Sequence, residues 1–239
     1  SRAATALAGG GALALTLLAV LPGPSASAAE DASRLLPAPS TPAPRAASAA
    51  PRTAVLAGGC FWGVQGVFEH VQGVEKVLAG YSGGSKVAAN YEVVSTGTTG
   101  HAESVKITYD PQQISYGQIL RIFFSVALNP TERNRQGPDV GTQYRSEIFY
   151  ANPEQERIGT AYIAELNQAH VFAQPIATRV DRLTGFYPAE PWHQDFMVRN
   201  PSNPYIVYND VPKVESLKRL FPKEYHATPT LALPVRPAS

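Results

Sequence analysis

The order of strand-like and helix-like segments after residue 52 restricts the fold of this chain most. Alternating or β-branched runs predict strands, and apolar residues spaced three or four apart predict helices. The order is strand, helix, strand, strand, helix, strand over residues 53–57, 64–71, 74–81, 101–109, 115–128 and 143–150. This order is typical of a split βαβ unit. We therefore expect an α/β (α+β) fold, a two-layer sandwich with a ferredoxin-like split βαβ core and a mixed or antiparallel sheet. A helix over residues 153–168, a strand over 176–183 and a short helix over 188–198 follow.

The first 28 residues have the pattern of a secretory signal peptide. Arg2 gives a basic start, an apolar run covers residues 12–21, and Ala26-Ser27-Ala28 suits a cleavage site. The run is too short to span a bilayer as a stable helix, although a retained membrane anchor is the alternative. We expect an exported protein, in the periplasm or another extracytoplasmic space, that is membrane-tethered only if the signal is retained.

Residues 29–52 are rich in alanine, proline and serine, and residues 226–239 have a similar composition. Segments of this kind bury too little apolar surface to offset the entropy lost on ordering. We therefore expect a disordered linker over 29–52, one folded domain over 53–225 and a disordered tail over 226–239. The middle segment is long enough to enclose a hydrophobic core.

Charge and motif content exclude several functional classes. A formal net charge of +1, with no basic run, argues against nucleic acid as a partner. The sequence lacks CxxC, HExxH and GxGxxG patterns, so neither a metal site nor a dinucleotide cofactor is expected. The single cysteine cannot form an internal disulfide. In an oxidising compartment it is a free thiol, a partner for another molecule or a reactive centre.

That cysteine, Cys60, follows Gly58-Gly59 and precedes two aromatic residues. The glycines end a predicted strand, and a predicted helix begins just after them. Free N–H groups and the helix dipole favour an anion at such a position. We therefore expect a lowered pKa for the Cys60 thiol and a nucleophilic thiolate. The alternative is a small buried hydrophobic residue with no chemistry.

Glu103 interrupts the apolar face of the strand predicted over residues 101–109. His101, Val105, Ile107 and Tyr109 share that face by alternation. Burying an ionised carboxylate is costly, so burial should raise the pKa of Glu103 and keep it protonated. A neutral buried carboxyl can act as a general acid. The alternative is an exposed strand end with a solvated Glu103.

Three segments together resemble the A-type peptide methionine sulfoxide reductases, the MsrA family. They are Gly-Gly-Cys-Phe-Trp-Gly at residues 58–63, Gly-His-Ala-Glu at 100–103 and Gln-Gly-Pro-Asp-Val-Gly-Thr-Gln-Tyr-Arg-Ser at 136–146. They occur in the family's order, and the resemblance extends over about residues 53–222. The folded domain over 53–225 is thereby identified as a methionine sulfoxide reductase catalytic domain.

The resemblance implies a reaction at sulfur. Cys60 matches the nucleophile that attacks the sulfoxide sulfur and becomes a sulfenic acid. Glu103 matches the acid that protonates the sulfoxide oxygen, and Tyr81 and Tyr144 match phenols that hydrogen-bond that oxygen. Asp139 matches an aspartate with a supporting role.

The resemblance also implies how substrate is bound and which partners are needed. Phe61 and Trp62 match aromatics that hold the substrate's S-methyl group, and Tyr205 matches a third site tyrosine. The substrate is methionine S-sulfoxide, free or in peptides and proteins, because a separate enzyme reduces the other epimer. No metal or organic cofactor is implied, but an external thiol such as thioredoxin or a dithiol is. We expect the enzyme to be a monomer.

The sequence departs from the family in its C-terminal part. Many members carry resolving cysteines after a tyrosine, but Ile206 follows Tyr205 here and no cysteine occurs. Pro191-Trp192 replaces a common Asp-Tyr, while Glu190 and His193 are retained and are the candidates for a chemical role in this segment. Cys60 must therefore be reset by a thiol from outside the chain.

Two other interpretations stay open at this point. Cys60 could pair with His101 or His193 for acyl transfer, or the chain could bind methionine-containing segments without turnover. The first leaves Glu103 unexplained, and the second leaves an intact set of reactive residues unexplained.

Overall fold

The computed structural model describes residues 33–41 and 50–234. The segment predicted to be a signal peptide lies outside the described residues. The strands are β1 (Arg52–Gly58), β2 (Val74–Ser82), β3 (Ala102–Tyr109), β4 (Arg135–Gln136), β5 (Asp139–Val140), β6 (Ser146–Tyr150), β7 (Arg179–Arg182) and β8 (Phe186–Pro188). The α-helices are α1 (Phe61–Glu69), α2 (Tyr91–Val94), α3 (Tyr116–Ile122), α4 (Pro153–Gln168), α5 (Phe196–Arg199) and α6 (Val211–Leu220).

The main sheet has the strand order β7-β6-β1-β3-β2-β8. Its four central strands, β6-β1-β3-β2, pair antiparallel, and β7 joins β6 in parallel. Numbered among themselves, the central strands have the order 4-1-3-2 of a split βαβ core. The predicted mixed-sheet, ferredoxin-like fold is confirmed.

The core forms where the helices cover one face of this sheet. The predicted apolar stripe of α1, namely Val64, Val67 and Phe68, continues into Val71, and each residue is at most 1% exposed. These side chains belong to the main core cluster together with Val77, Val105 and Ile107 of the sheet. Burial of this stripe fixes α1, and with it Cys60, against the centre of the sheet.

Several element boundaries differ from the predictions. The helix predicted over 115–128 is α3, opened by a Ser115–Gln118 capping box, followed by a π-helical turn, Phe123–Ala127. The strand predicted from residue 143 begins at Ser146, after a 3-10 turn over Thr142–Tyr144. The helix predicted over 188–198 is divided into a 3-10 turn, Pro191–His193, and α5. Neither α6 nor the short elements α2, β4, β5 and β8 were expected.

Part of the predicted disordered linker is packed on the domain. Leu36 is 1% exposed in the main core. Tyr162 donates from its hydroxyl to the Pro37 carbonyl at 2.8 Å, and Arg121 Nε donates to the Leu36 carbonyl at 2.7 Å. Composition missed this because one apolar residue and a few backbone hydrogen bonds suffice to hold a short segment on a preformed surface. The last linker residue, Arg52, begins β1.

Part of the predicted disordered tail is also packed. Asp195 accepts hydrogen bonds from the backbone N–H groups of Ala232 at 2.7 Å and Leu233 at 3.1 Å. Thr230 N–H donates to the Glu69 carbonyl at 2.8 Å. The prediction of disorder is therefore wrong for residues 226–234, because a buried carboxylate elsewhere in the fold supplies acceptors for their backbone. None of the helices within residues 33–41 and 50–234 is long and apolar enough to cross a membrane.

Candidate active site

Cys60 lies between β1 and α1, as predicted, and is the N-cap residue of α1. Its side chain is buried, with 9% exposure. Gly59 before it has φ of 91°, a left-handed conformation that glycine adopts without strain. A Cβ on Gly59 would also lie 2.5 Å from the Cβ of Gln136. The glycine therefore brings the loop containing β4 close to the thiol.

The Cys60 thiol has a raised pKa, so the predicted lowering is wrong. Burial raises the pKa well above its ordinary value, and the charges of Glu103 and Asp210 raise it further. The Trp62 N–H and the Lys213 ammonium lower it only in part. Burial can move a pKa by about 3 to 5 units, each worth about 1.4 kcal/mol. A helix N-terminus contributes only about 0.3–1 kcal/mol. The thiol is therefore protonated at neutral pH.

Glu103 lies beside Cys60 and is 3% exposed. Its Oε2 accepts a hydrogen bond from the N–H of Phe61, the residue after the cysteine, at 3.0 Å. Burial raises the pKa of Glu103 to about 8, against the lowering effect of that N–H, and the charge of Asp139 raises it further. The predicted burial is confirmed, and the raised pKa has the predicted direction. A neutral acid is thus held next to the cysteine.

The two aromatic residues after the cysteine form a wall of the site. Phe61 is 1% exposed, and its ring centroid lies 4.9 Å from that of His193. Trp62 is half-buried, and its indole N–H donates to His193 Nδ1 at 3.0 Å. The Trp62 ring stacks on Phe196 at 3.7 Å and meets Tyr205 edge-on at 5.9 Å. Trp62 is therefore held in one orientation by three neighbouring rings.

Tyr81, the predicted site tyrosine ahead of the Ser-Gly-Gly turn, hydrogen-bonds through its hydroxyl to a residue outside the Cys60–Glu103 pair. Tyr81 is paired with Glu103 across β2 and β3, but its hydroxyl donates to Glu190 at 2.8 Å. The same Glu190 carboxyl accepts the N–H of Tyr91 at 2.9 Å. Burial raises the pKa of Tyr91, as do the charges of Glu103 and Cys60. The charge of Glu103 raises the pKa of both Tyr91 and Tyr81, but the hydroxyl proton of Tyr81 is engaged by Glu190.

The polar loop over residues 136–146 forms a second wall. The Tyr205 hydroxyl donates to Asp139 Oδ2, which ties this loop to the C-terminal part of the chain. Tyr144 is half-buried, and its pKa is raised by burial and then by the charge of Glu103. Arg145 fixes the loop end by donating to the carbonyls of His101 at 3.1 Å and Gly100 at 2.9 Å.

The two histidines considered as bases have other partners. The Gly84 N–H donates to His101 Nδ1 at 3.3 Å, so Nε2 carries the proton and donates to the Ser85 carbonyl at 2.9 Å. Burial lowers the pKa of His193 to about 4, against the charge of Glu190. His193 is therefore a neutral group, and both ring nitrogens of His101 are engaged by the backbone. Within the described part of the chain, His, Cys, Asp and Glu form no group of three that could hold a metal ion.

Sequence reasoning missed Tyr91 and Asp210. Tyr91 opens α2 after the Asn90 cap, within a stretch that has no strong periodicity and received no prediction. Asp210 lies 150 residues after Cys60, and its carboxyl is buried next to α1. Only the tertiary structure brings these two residues to the cysteine. The site combines one sulfur nucleophile, one neutral acid and a set of phenols.

Comparisons with known proteins identify the family of this chain. The family model described as peptide methionine sulfoxide reductase matches residues 52–225. The chain is 59% identical over 181 residues to "Peptide methionine sulfoxide reductase MsrA 2" of Mesorhizobium japonicum, covering 76% of this chain and 93% of that protein. It is 53% identical over 168 residues to the protein of the same name from Synechocystis sp., covering 70% and 78%.

Solved structures show the same fold. Methionine sulfoxide reductase A of Corynebacterium diphtheriae matches with a TM-score of 0.56 and 30% identity, over 75% of this chain and 93% of that one. Reduced Mxr1 of Saccharomyces cerevisiae matches with a TM-score of 0.57 and 28% identity, over 64% and 87%. The chain belongs to the peptide methionine sulfoxide reductase family and is an oxidoreductase of its A type.

Proposed function

We propose that Cys60 is the nucleophile with which this enzyme reduces methionine sulfoxide to methionine. The observation that carries the proposal is the neutral carboxyl of Glu103, held by the N–H of the residue that follows Cys60. A sulfur nucleophile and a proton donor are the two groups that oxygen removal from a sulfoxide needs. Cys60 is a free cysteine among the described residues, so its sulfur is available as the nucleophile.

In the proposed reaction the Cys60 sulfur attacks the sulfoxide sulfur while Glu103 protonates the sulfoxide oxygen. The new S–S bond then breaks as the hydroxyl passes from the substrate sulfur to the Cys60 sulfur, so methionine leaves and Cys60 carries the oxygen as a sulfenic acid. The substrate sulfur gains two electrons and the cysteine sulfur loses two. Tyr91 and Tyr144 are proposed to donate hydrogen bonds to the oxygen as negative charge develops, with Asp139 supporting them.

Substrate recognition is proposed to depend on the aromatic wall. Trp62 presents a half-buried ring, and aromatic rings make favourable contacts with sulfur and methyl groups. Phe61 supports this wall from the core, and Tyr205 closes it at the edge. The proposed substrate is the S epimer of methionine sulfoxide, free or within peptides and proteins. A separate enzyme would reduce the other epimer, because one enzyme serves each epimer.

The proposed return to the thiol needs two external thiol groups. One thiol attacks the sulfenic acid, releasing water and forming a mixed disulfide with Cys60. A second thiol attacks that disulfide and restores Cys60. The chain has one cysteine, so both thiols come from a partner, proposed to be thioredoxin or a small dithiol. The proposed enzyme acts as a monomer.

The proposed location is outside the cytoplasm, where the enzyme would repair oxidised proteins. The composition of residues 1–28 supports export. Cell fractionation with an antibody to the folded domain tests this. A cytoplasmic protein that retains residues 1–28 would contradict it.

The experiment that tests the function uses purified protein, dithiothreitol and the two epimers of an aryl methyl sulfoxide. The wild type should reduce the S epimer and leave the R epimer. Cys60→Ser should reduce neither, while keeping the thermal unfolding midpoint of the wild type. Reduction that survives in Cys60→Ser would contradict the proposal.

A further inference from the structure

A partly buried ion pair between Asp210 and Lys213 lies beside the first turn of α1. Asp210 is fully buried, and its Oδ1 accepts from Lys213 Nζ at 3.1 Å. Its Oδ2 is buried and has no hydrogen-bond partner among the described residues. Asp210 immediately precedes α6, yet its side chain makes no capping hydrogen bond to that helix. Helix capping therefore does not explain this carboxylate.

The carboxylate occupies the space of a missing side chain on α1. Gly63 lies three residues after Cys60, and a Cβ on Gly63 would overlap the Asp210 carboxylate and lie 2.8 Å from Lys213 Nζ. In a capping box, an acidic side chain at this third helical position reaches back to the N-cap residue. Here the N-cap residue is Cys60. Asp210 therefore places, from another element, a carboxylate where a side chain at the third position of α1 would lie, and its charge raises the pKa of the Cys60 thiol.

In the resting site, the thiol proton of Cys60 needs an acceptor other than Glu103. The Cys60 thiol is protonated, because burial raises its pKa. Glu103 is protonated as well, because burial raises its pKa to about 8. Glu103 cannot then take the thiol proton and still deliver its own proton to the substrate. A second carboxylate, ionised at rest, is needed nearby.

We propose that the Asp210 carboxylate accepts the thiol proton of Cys60 when substrate binds. The S–H proton moves to Oδ2, directly or through one water, which leaves a thiolate and a neutral Asp210. Glu103 then protonates the sulfoxide oxygen, and methionine leaves behind the sulfenic acid. Asp210 finally returns one proton through solvent to Glu103. The sum is one thiol and one sulfoxide converted to one sulfenic acid and one thioether, as the proposed function requires.

The charges around Asp210 suit this role. Burial raises the pKa of Asp210, Lys213 lowers it, and the charge of Asp139 raises it. The Lys213 ammonium, 3.1 Å from Oδ1, favours the ionised carboxylate, while burial increases its affinity for a proton. The groups that also act on the Cys60 thiol are Glu103 and Lys213, and Tyr205 is near enough for its own pKa to be raised by both Cys60 and Asp210.

The test measures two rates in Asp210→Asn. Alkylation of Cys60 should become faster, and single turnover should become slower. The first is the pH dependence of Cys60 alkylation without substrate. Since the Asp210 charge raises the thiol pKa, Asp210→Asn should alkylate faster than wild type at pH 7. The second is the single-turnover rate of methionine release at saturating sulfoxide, which should fall about 10²- to 10⁴-fold without a proton acceptor. A merely electrostatic neighbour would instead make turnover faster, and that result would overturn the proposal.

Two further variants complete the experiment. Asp181→Asn, a matched change at the edge strand β7, should leave both readouts at wild-type values. Lys213→Met should raise the pKa of Asp210 and shift the acidic limb of the single-turnover profile to higher pH. An unshifted limb would overturn the proposal even if Asp210→Asn does not fold. If the wild type itself releases no methionine, the proposed function fails. If wild type and Asp210→Asn release it equally fast, only this inference fails.

Discussion

The buried neutral carboxyl of Glu103 should make the stability of the wild type depend on pH. Glu103→Gln should lack this dependence. Burial raises the pKa of Glu103 from 4.5 to about 8. The folded protein therefore holds this proton over a range where the unfolded chain has released it. The free energy of unfolding must fall as pH rises through that range. One pKa unit corresponds to about 1.4 kcal/mol, so the whole window is worth about 5 kcal/mol.

Urea unfolding at several pH values measures this effect without reference to activity. Between pH 6 and pH 9, wild-type stability relative to Glu103→Gln should fall by about 2 to 3 kcal/mol. Glu75→Gln, the same change at an exposed position of β2, should keep the wild-type slope. If wild type and Glu103→Gln have parallel pH dependences, Glu103 is not a buried neutral acid.

The same variant should separate binding from catalysis. The glutamine amide still donates a hydrogen bond but delivers no proton. We expect nearly unchanged KM and a single-turnover rate about 10²- to 10⁴-fold lower. In the wild type, the protonated fraction of Glu103 should fall from about nine in ten at pH 7 to about one in ten at pH 9. A wild-type rate in Glu103→Gln would refute the general-acid assignment.

Three other predictions test neighbouring parts of the account. Tyr91→Phe should slow single turnover about 10²- to 10³-fold, because the developing charge loses one hydrogen-bond donor. Tyr81→Phe should change the single-turnover rate much less. The reverse order in stopped-flow measurements would mean that Tyr81 is the donor. Asp195→Ala should lower the free energy of unfolding by about 1–3 kcal/mol through its lost backbone partners, and removal of residues 226–239 should mimic it in urea unfolding; two unaffected proteins would mean that the tail is not bound. Leu36→Ala should cost about 2–5 kcal/mol by leaving a cavity; a wild-type urea midpoint would place residues 33–41 off the core.

The parts of the fold that the sequence predicts are those encoded by local periodicity. The alternation around Glu103 identifies both its strand and its buried face, because successive side chains in a strand point to opposite sides. The spacing of Val64, Val67 and Phe68 predicts α1 for the same kind of reason. These patterns follow from backbone geometry and require no knowledge of what packs against them.

The features that sequence reasoning misses depend on contacts between distant segments. The pKa of Cys60 is raised because the assembled fold buries the thiol and places two carboxyls near it. The local helix start predicts the opposite direction. Leu36 and the tail bonded to Asp195 are bound by surfaces that composition does not reveal. Asp210 reaches α1 only because Gly63 leaves space for it.

The central claim is that Cys60 itself takes the oxygen from the substrate. Mass spectrometry of the wild-type protein after one turnover, with the R or S sulfoxide and without reductant, tests it most directly. With the S epimer, the peptide containing Cys60 should carry one added oxygen, or its dimedone adduct, in a one-to-one ratio with the methionine released. Release of methionine while Cys60 stays an unmodified thiol would contradict the account.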